Sequence, residues 1–88
     1  MKILKFESNN CPACEQIDAM VERVCKTLNL EVEKIDVRSE SGMDRAQKLK
    51  VWGIPTLLLV RENDEVIANI RNVCSDDELY QDIVENLI

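Results

Sequence analysis

Cys11-Pro12-Ala13-Cys14 sets two thiols three positions apart in a chain of 88 residues. Thiols at that spacing can close and reopen a disulfide between themselves, so the chemistry they offer is thiol–disulfide exchange. The pair follows a short apolar run, residues 2–7, and the turn-like Ser8-Asn9-Asn10, and it opens a segment of helical periodicity. With Cys11 at the N-cap and Pro12 at the first helical position, proline gives up no needed donor, while free amides and the helix dipole favour a thiolate at Cys11. Cys11 is then the attacking thiol. Cys14, one turn further on, shares a face with Ile17, Val21 and Val24, and is expected to be buried and to act as the resolving thiol. The expected cycle is attack by Cys11 on a partner disulfide, a mixed disulfide, and displacement by Cys14.

The chain contains no histidine, which excludes Cys-His hydrolysis, histidine metal sites and imidazole acid–base catalysis. Zinc commonly takes two cysteine pairs, and Cys25 and Cys74 stand apart from each other and from Cys11 and Cys14, so no metal site is expected. A rival reading is a binding module, either a partner subunit or a carrier that holds a soft cation such as Cu(I) on its first strand–helix loop. Carriers of that kind run βαββαβ, which this chain does not. A net charge of -6 without a basic cluster argues against nucleic acid and acidic membranes as partners. No run approaches a signal-peptide core or the roughly 20 apolar residues of a membrane span. The expectation is a soluble cytoplasmic monomer, one domain over residues 1–88, with no bound cofactor beyond the Cys11–Cys14 redox pair.

The elements that must hold this pair read strand, helix, strand, helix, strand, strand, helix, an α/β pattern. Residues 12–29 carry Ile17, Met20, Val21, Val24 and Leu28 on one helical face. A strand over residues 31–37 and a helix over residues 41–50, with Met43, Ala46 and Leu49 in step, make a second βα unit parallel to the first. Residues 56–60 form an apolar strand, and Glu62-Asn63-Asp64 turns the chain into an antiparallel strand over residues 65–70. Ser75-Asp76-Asp77-Glu78 opens a last helix as a capping box, with Leu79, Ile83 and Leu87 on its stripe.

The second informative segment is Gly53-Ile54-Pro55-Thr56. Taken alone, Pro55 either bends the chain through a cis bond or starts an edge strand. Residues 46–59, Ala46-Gln47-Lys48-Leu49-Lys50-Val51-Trp52-Gly53-Ile54-Pro55-Thr56-Leu57-Leu58-Leu59, together with Ile35-Asp36-Val37 and the cysteine pair, resemble the thioredoxin superfamily over most of the chain. The resemblance implies the minimal thioredoxin-like fold βαβαββα, a four-stranded mixed sheet flanked by three helices, without the N-terminal strand and helix of full-length thioredoxins. It also implies a cis Pro55 and an Ile54 backbone that pairs with bound substrate.

Trp52, Gly53, Ile54, Pro55, Asn72 and Val73, with Pro12 and Ala13, are the substrate-binding candidates. Trp52 either forms an apolar docking surface beside the cysteines or covers the core. Two departures from the thioredoxin pattern stand out. Asn10 precedes Cys-Pro-Ala-Cys where thioredoxins carry Trp before Cys-Gly-Pro-Cys, an order closer to glutaredoxins. Lys5 occupies the position, six residues before the first cysteine, where thioredoxins bury an aspartate. Lys5 and Glu7 fall on one strand face, where they either pair below the site or, as the blander reading expects, stand at a solvated strand end. Glutaredoxins bind glutathione with a Gly-Gly turn, and the matching Asn72-Val73 lacks both glycines. Cys25 is expected to be a small core residue, and Cys74 a loop thiol. The resemblance implies a reductant of protein disulfides, recharged by an NADPH-dependent thioredoxin reductase or, as an alternative, by glutathione, with roles in electron transport and cell redox homeostasis.

Overall fold

A computed structural model describes residues 1–70 and 73–87. The elements are β1 (Lys2–Glu7), α1 (Pro12–Thr27), β2 (Glu31–Asp36), α2 (Glu40–Lys48), β3 (Thr56–Val60), β4 (Val66–Ile70) and α3 (Asp76–Leu87). The order is the expected βαβαββα. The strands form one mixed sheet in the order β2-β1-β3-β4. β1 runs parallel to β2, with Ile3 opposite Val32, and antiparallel to β3, with Phe6 opposite Thr56. β3 and β4 are antiparallel, with a register shift between Leu59 and Val60.

Alternation along the two central strands builds a core on each sheet face. On one face Ile3, Leu57 and Leu59 pack against Met20, Val21, Val24 and Cys25 of α1 and Leu79 and Ile83 of α3. On the other, Leu4, Phe6, Leu58 and Val60 meet Ile35 and Ala46.

The element ends have local causes. α1 stops two residues earlier than its periodicity implies: Leu28 caps it, and Asn29 turns away at φ 56°. α2 ends at Lys48 because Leu49 caps it and Lys50 turns left-handed at φ 59°. Arg61 and Glu65 close the hairpin, the Arg61 amide donating to the Glu65 carbonyl at 2.9 Å. Ser75 caps α3 as its sequence implies, accepting from the Glu78 amide at 3.2 Å. At the start of α2, Gly42 lies against the end of β2, where a Cβ would overlap the Asp36 carbonyl. That close approach fixes how α2 leaves the strand.

Three expected positions are corrected. Met43 is 50% exposed and Leu87 40% exposed; Met43 lies in the first turn of α2 and Leu87 is the last residue of α3, and neither belongs to the two core clusters. Lys5 is not at a solvated strand end. It alternates with Ile3 on the face under α1 and is fully buried, paired with Glu7 and with Asp18 of α1.

Candidate active site

The topology gathers the predicted residues at one end of the sheet. β1 ends at Glu7, and Ser8, Asn9 and Asn10 carry the chain over to α1, Asn10 making the turn at φ 58°. The start of β3 lies beside the end of β1, since Thr56 pairs with Phe6. Ile70, the end of β4, lies beside Leu57. The cysteine loop, the Ile54–Pro55 segment and Val73 therefore converge without any long excursion of the chain. Asn72 lies outside the described residues.

Cys11 is the N-cap of α1, and Pro12 occupies the first turn. The Cys14 amide donates to Cys11 Sγ at 3.2 Å, as a serine cap would accept. Cys11 and Cys14 form a disulfide, with their Cα atoms 5.2 Å apart. The two sulfurs sit in unequal surroundings. Cys11 is half-buried and flanked by exposed Pro12 and Ala13, whereas Cys14 is 2% exposed beneath the helix.

The Ile54–Pro55 peptide bond is cis, and Thr56 Oγ1 fastens the loop by donating to the Gly53 carbonyl at 2.6 Å. A groove of about 490 Å³ runs along this loop, walled by Ile17, Met20, Trp52, Ile54, Pro55 and Val73. Trp52 is 85% exposed, which rules out its covering the core and leaves it on the rim. Gly53 is open, with nothing within 4 Å of an added Cβ.

Beneath the disulfide lies a group that the sequence only half revealed. Lys5 Nζ donates to Asp18 Oδ1 at 2.6 Å and to Glu7 Oε1. Glu7, Asp18 and Cys14 share the wall of a second cavity, of about 520 Å³. Asp18 was not among the expected site residues. Its signal was nevertheless present: a lysine alternating with Ile3 under a helix requires a carboxylate, and Asp18 stands four residues after Cys14 on the same helical face. The hydrogen bond from Lys5 holds the Asp18 carboxyl below the usual range, and Lys34 at 3.5 Å acts in the same direction.

The other two cysteines are as expected. Cys25 is buried in the α1 core, and desolvation pushes its thiol up to about 11. Cys74 is exposed in the loop before α3. No group of three or more metal-ligating side chains occurs among the described residues, and none of the described helices is long and apolar enough to cross a membrane.

The family model described as Thioredoxin matches residues 1–85. The chain belongs to the thioredoxin family. Among curated relatives, it is 31% identical over 71 residues to the SPbeta prophage-derived thioredoxin-like protein YosR of Bacillus subtilis, covering 80% of this chain and 81% of the relative. It is 29% identical over 76 residues to a probable thioredoxin of Archaeoglobus fulgidus, covering 86% and 78%. The fold matches thioredoxin 1 of Thermosipho africanus with a TM-score of 0.81 at 22% identity, over 99% of this chain and 94% of that one. A thioredoxin variant from Halobacterium salinarum matches with a TM-score of 0.78 at 25% identity, over 96% and 72%. Family membership and the Cys11–Cys14 disulfide make this a thiol–disulfide oxidoreductase in kind. This thioredoxin-family chain keeps the cysteine pair and the cis proline, and it buries a cation, Lys5, beneath the site.

Proposed function

We propose that the protein reduces disulfides of protein partners, with Cys11 as nucleophile and Cys14 as resolving thiol. The observation that carries this reading is the asymmetry of the pair: one sulfur caps a helix and is half-buried, and the other belongs to a residue only 2% exposed, at the end of the sheet that also carries the cis Pro55 loop. In the reduced protein, the amides and dipole at the start of α1 favour the thiolate of Cys11. It attacks the near sulfur of a partner disulfide, and the departing sulfur leaves as a thiolate. The partner strand lies along Ile54 and Pro55, its apolar side chains against Trp52 and Val73. Cys14 then attacks Cys11, and the partner is released reduced.

A folded protein loop suits the groove better than a small peptide. Half-buried Val73 stands where a glycine turn would admit a tripeptide backbone, and the apolar rim offers contacts of the kind proteins use. The electron donor in this reading is an NADPH-dependent thioredoxin reductase, the compartment is the reducing cytoplasm, and the working form is a monomer that needs no bound cofactor.

Adding NADPH and a thioredoxin reductase to the oxidised protein, with Trp52 fluorescence and thiol counting as readouts, tests the donor. Reduction within minutes is expected there, with glutathione at least tenfold slower. Preference for glutathione would move the protein to the glutaredoxins.

A further inference from the structure

Lys5 is the one charged side chain fully buried among the described residues. An ammonium removed from water needs close anions, and two supply them: Glu7 from the same strand and Asp18 from α1. The array holds one positive and two negative charges, a net of one negative. Lys34 touches Asp18 at 3.5 Å and Glu22 at 3.4 Å, and counting both Lys34 and Glu22 leaves the net at one negative. On its other side the array opens on the cavity that Cys14 lines, where, among the described residues, Glu15 is the only further charged residue in the wall. A buried thiol that must lose its proton thus shares one space with an array that carries an uncompensated carboxylate.

We propose that Glu7, held in place by the buried Lys5, takes the proton of Cys14 in the step that resolves the mixed disulfide, directly or through one water of the shared cavity. This step rests on the dithiol exchange proposed above. The Cys14 S–H bond breaks, its electron pair stays on sulfur, and an O–H bond forms on Glu7. The Cys14 pair then forms the Cys14–Cys11 bond as the bond from Cys11 to the partner breaks. The partner sulfur leaves with that electron pair and takes the proton back from Glu7. The dithiol loses two electrons and the partner disulfide gains them. One ammonium cannot neutralise two carboxylates, so a proton arriving at Glu7 cancels the excess charge of the array just as the negative charge appears on sulfur. Asp18, held low by Lys5 and Lys34, stays ionised and keeps Lys5 paired throughout. Relative to the buried aspartate that the thioredoxin pattern places at position 5, the acid stands two residues further along the same strand face, and a lysine positions it.

The test uses the reduced protein carrying Cys74→Ser, so that the exposed thiol is silent, and the chromogenic disulfide dithiobis(nitrobenzoate). Attack by Cys11 releases one thionitrobenzoate, and closure by Cys14 releases the second. In Glu7→Gln the second phase is expected to slow at least about a hundredfold at neutral pH, the low side of a general-base contribution, with the first phase within about twofold of the parent. Glu7→Asp keeps the charge and the pairing with Lys5, and it is expected to slow the second phase by at least about threefold because the shorter acid withdraws from the thiol. Glu15→Gln is expected to leave both phases within about twofold. A second phase at the parent rate in Glu7→Gln, or in Glu7→Asp if the former does not fold, would overturn the proposal. So would a slow second phase confined to Asp18→Asn. Release of a single equivalent by the parent, with Cys11 and Cys14 left unjoined, would instead overturn the exchange itself.

Discussion

At the scale of residues, the site divides labour by exposure. Cys11 caps the start of α1 and is half-buried, while Cys14 is 2% exposed, and in the proposed cycle the first attacks and the second resolves. Trp52 is the opposite case, a large apolar side chain held almost wholly in water on the rim of the groove. Leaving an indole exposed has no benefit to folding, which points to contact with a partner. Trp52→Ala is therefore expected to change the unfolding free energy by less than about 0.5 kcal/mol. The same substitution should lower kcat/KM for a protein disulfide by about five- to thirtyfold, the weight of one aromatic contact of 1–2 kcal/mol. Paired urea denaturation and turnover measurements separate the two, and a variant that loses stability and keeps its activity would assign Trp52 to the core.

At the scale of elements, a charged cluster ties together parts of the sheet's other face. Arg45 of α2 pairs with Glu33 of β2 and, at 3.0 Å, with Asp64 of the hairpin turn, while Lys2 of β1 reaches Glu33 at 2.6 Å. Hydrogen bonding from Arg45, and then from Lys2, draws the Glu33 carboxyl from its ordinary 4.5 down to about 2. A carboxyl lowered on folding contributes stability that is complete above its ordinary value and is lost as pH falls through the folded one. The cluster is partly exposed and solvent screens it, so the contribution is on the order of 1 kcal/mol. Glu33→Gln is expected to unfold at lower urea than the parent at pH 7 and to converge with it near pH 2. An equal deficit at both pH values would mean that packing, not charge, is responsible. Arg45 and Glu33 carried no signal of this pairing in the sequence, because ion pairs between elements depend on how α2 leaves β2, and that angle is set by the contact of Gly42 with the Asp36 carbonyl.

At the scale of the whole molecule, the order and pairing of the elements were legible because each rests on a local pattern. The period-2 and period-3.6 stripes, the capping box at Ser75 and the turn at Glu62-Asn63-Asp64 all agree with the observed fold. The cysteine pair and Pro55 were legible too, since spacing and sequence context mark them and the β1–β3 register brings them to one end of the sheet. Lys5 was legible as a partner of Glu7 on the same strand face, but its burial was not, because a charged residue on a strand is usually solvated and only the placement of α1 brings Asp18 to it. The charge array beneath the disulfide and the cluster joining Glu33, Arg45 and Asp64 share that origin. Both are made by packing between elements rather than within them.

The most direct test of the central claim is capture of a mixed disulfide. In a Cys74→Ser background, Cys14→Ser, reduced and mixed with a disulfide-bonded protein, is expected to accumulate a covalent adduct through Cys11 that dithiothreitol releases, whereas Cys11→Ser forms none and turns over no substrate. A folded Cys14→Ser variant that captures nothing, or a Cys11→Ser variant with full turnover, would contradict the assignment of nucleophile and resolving thiol.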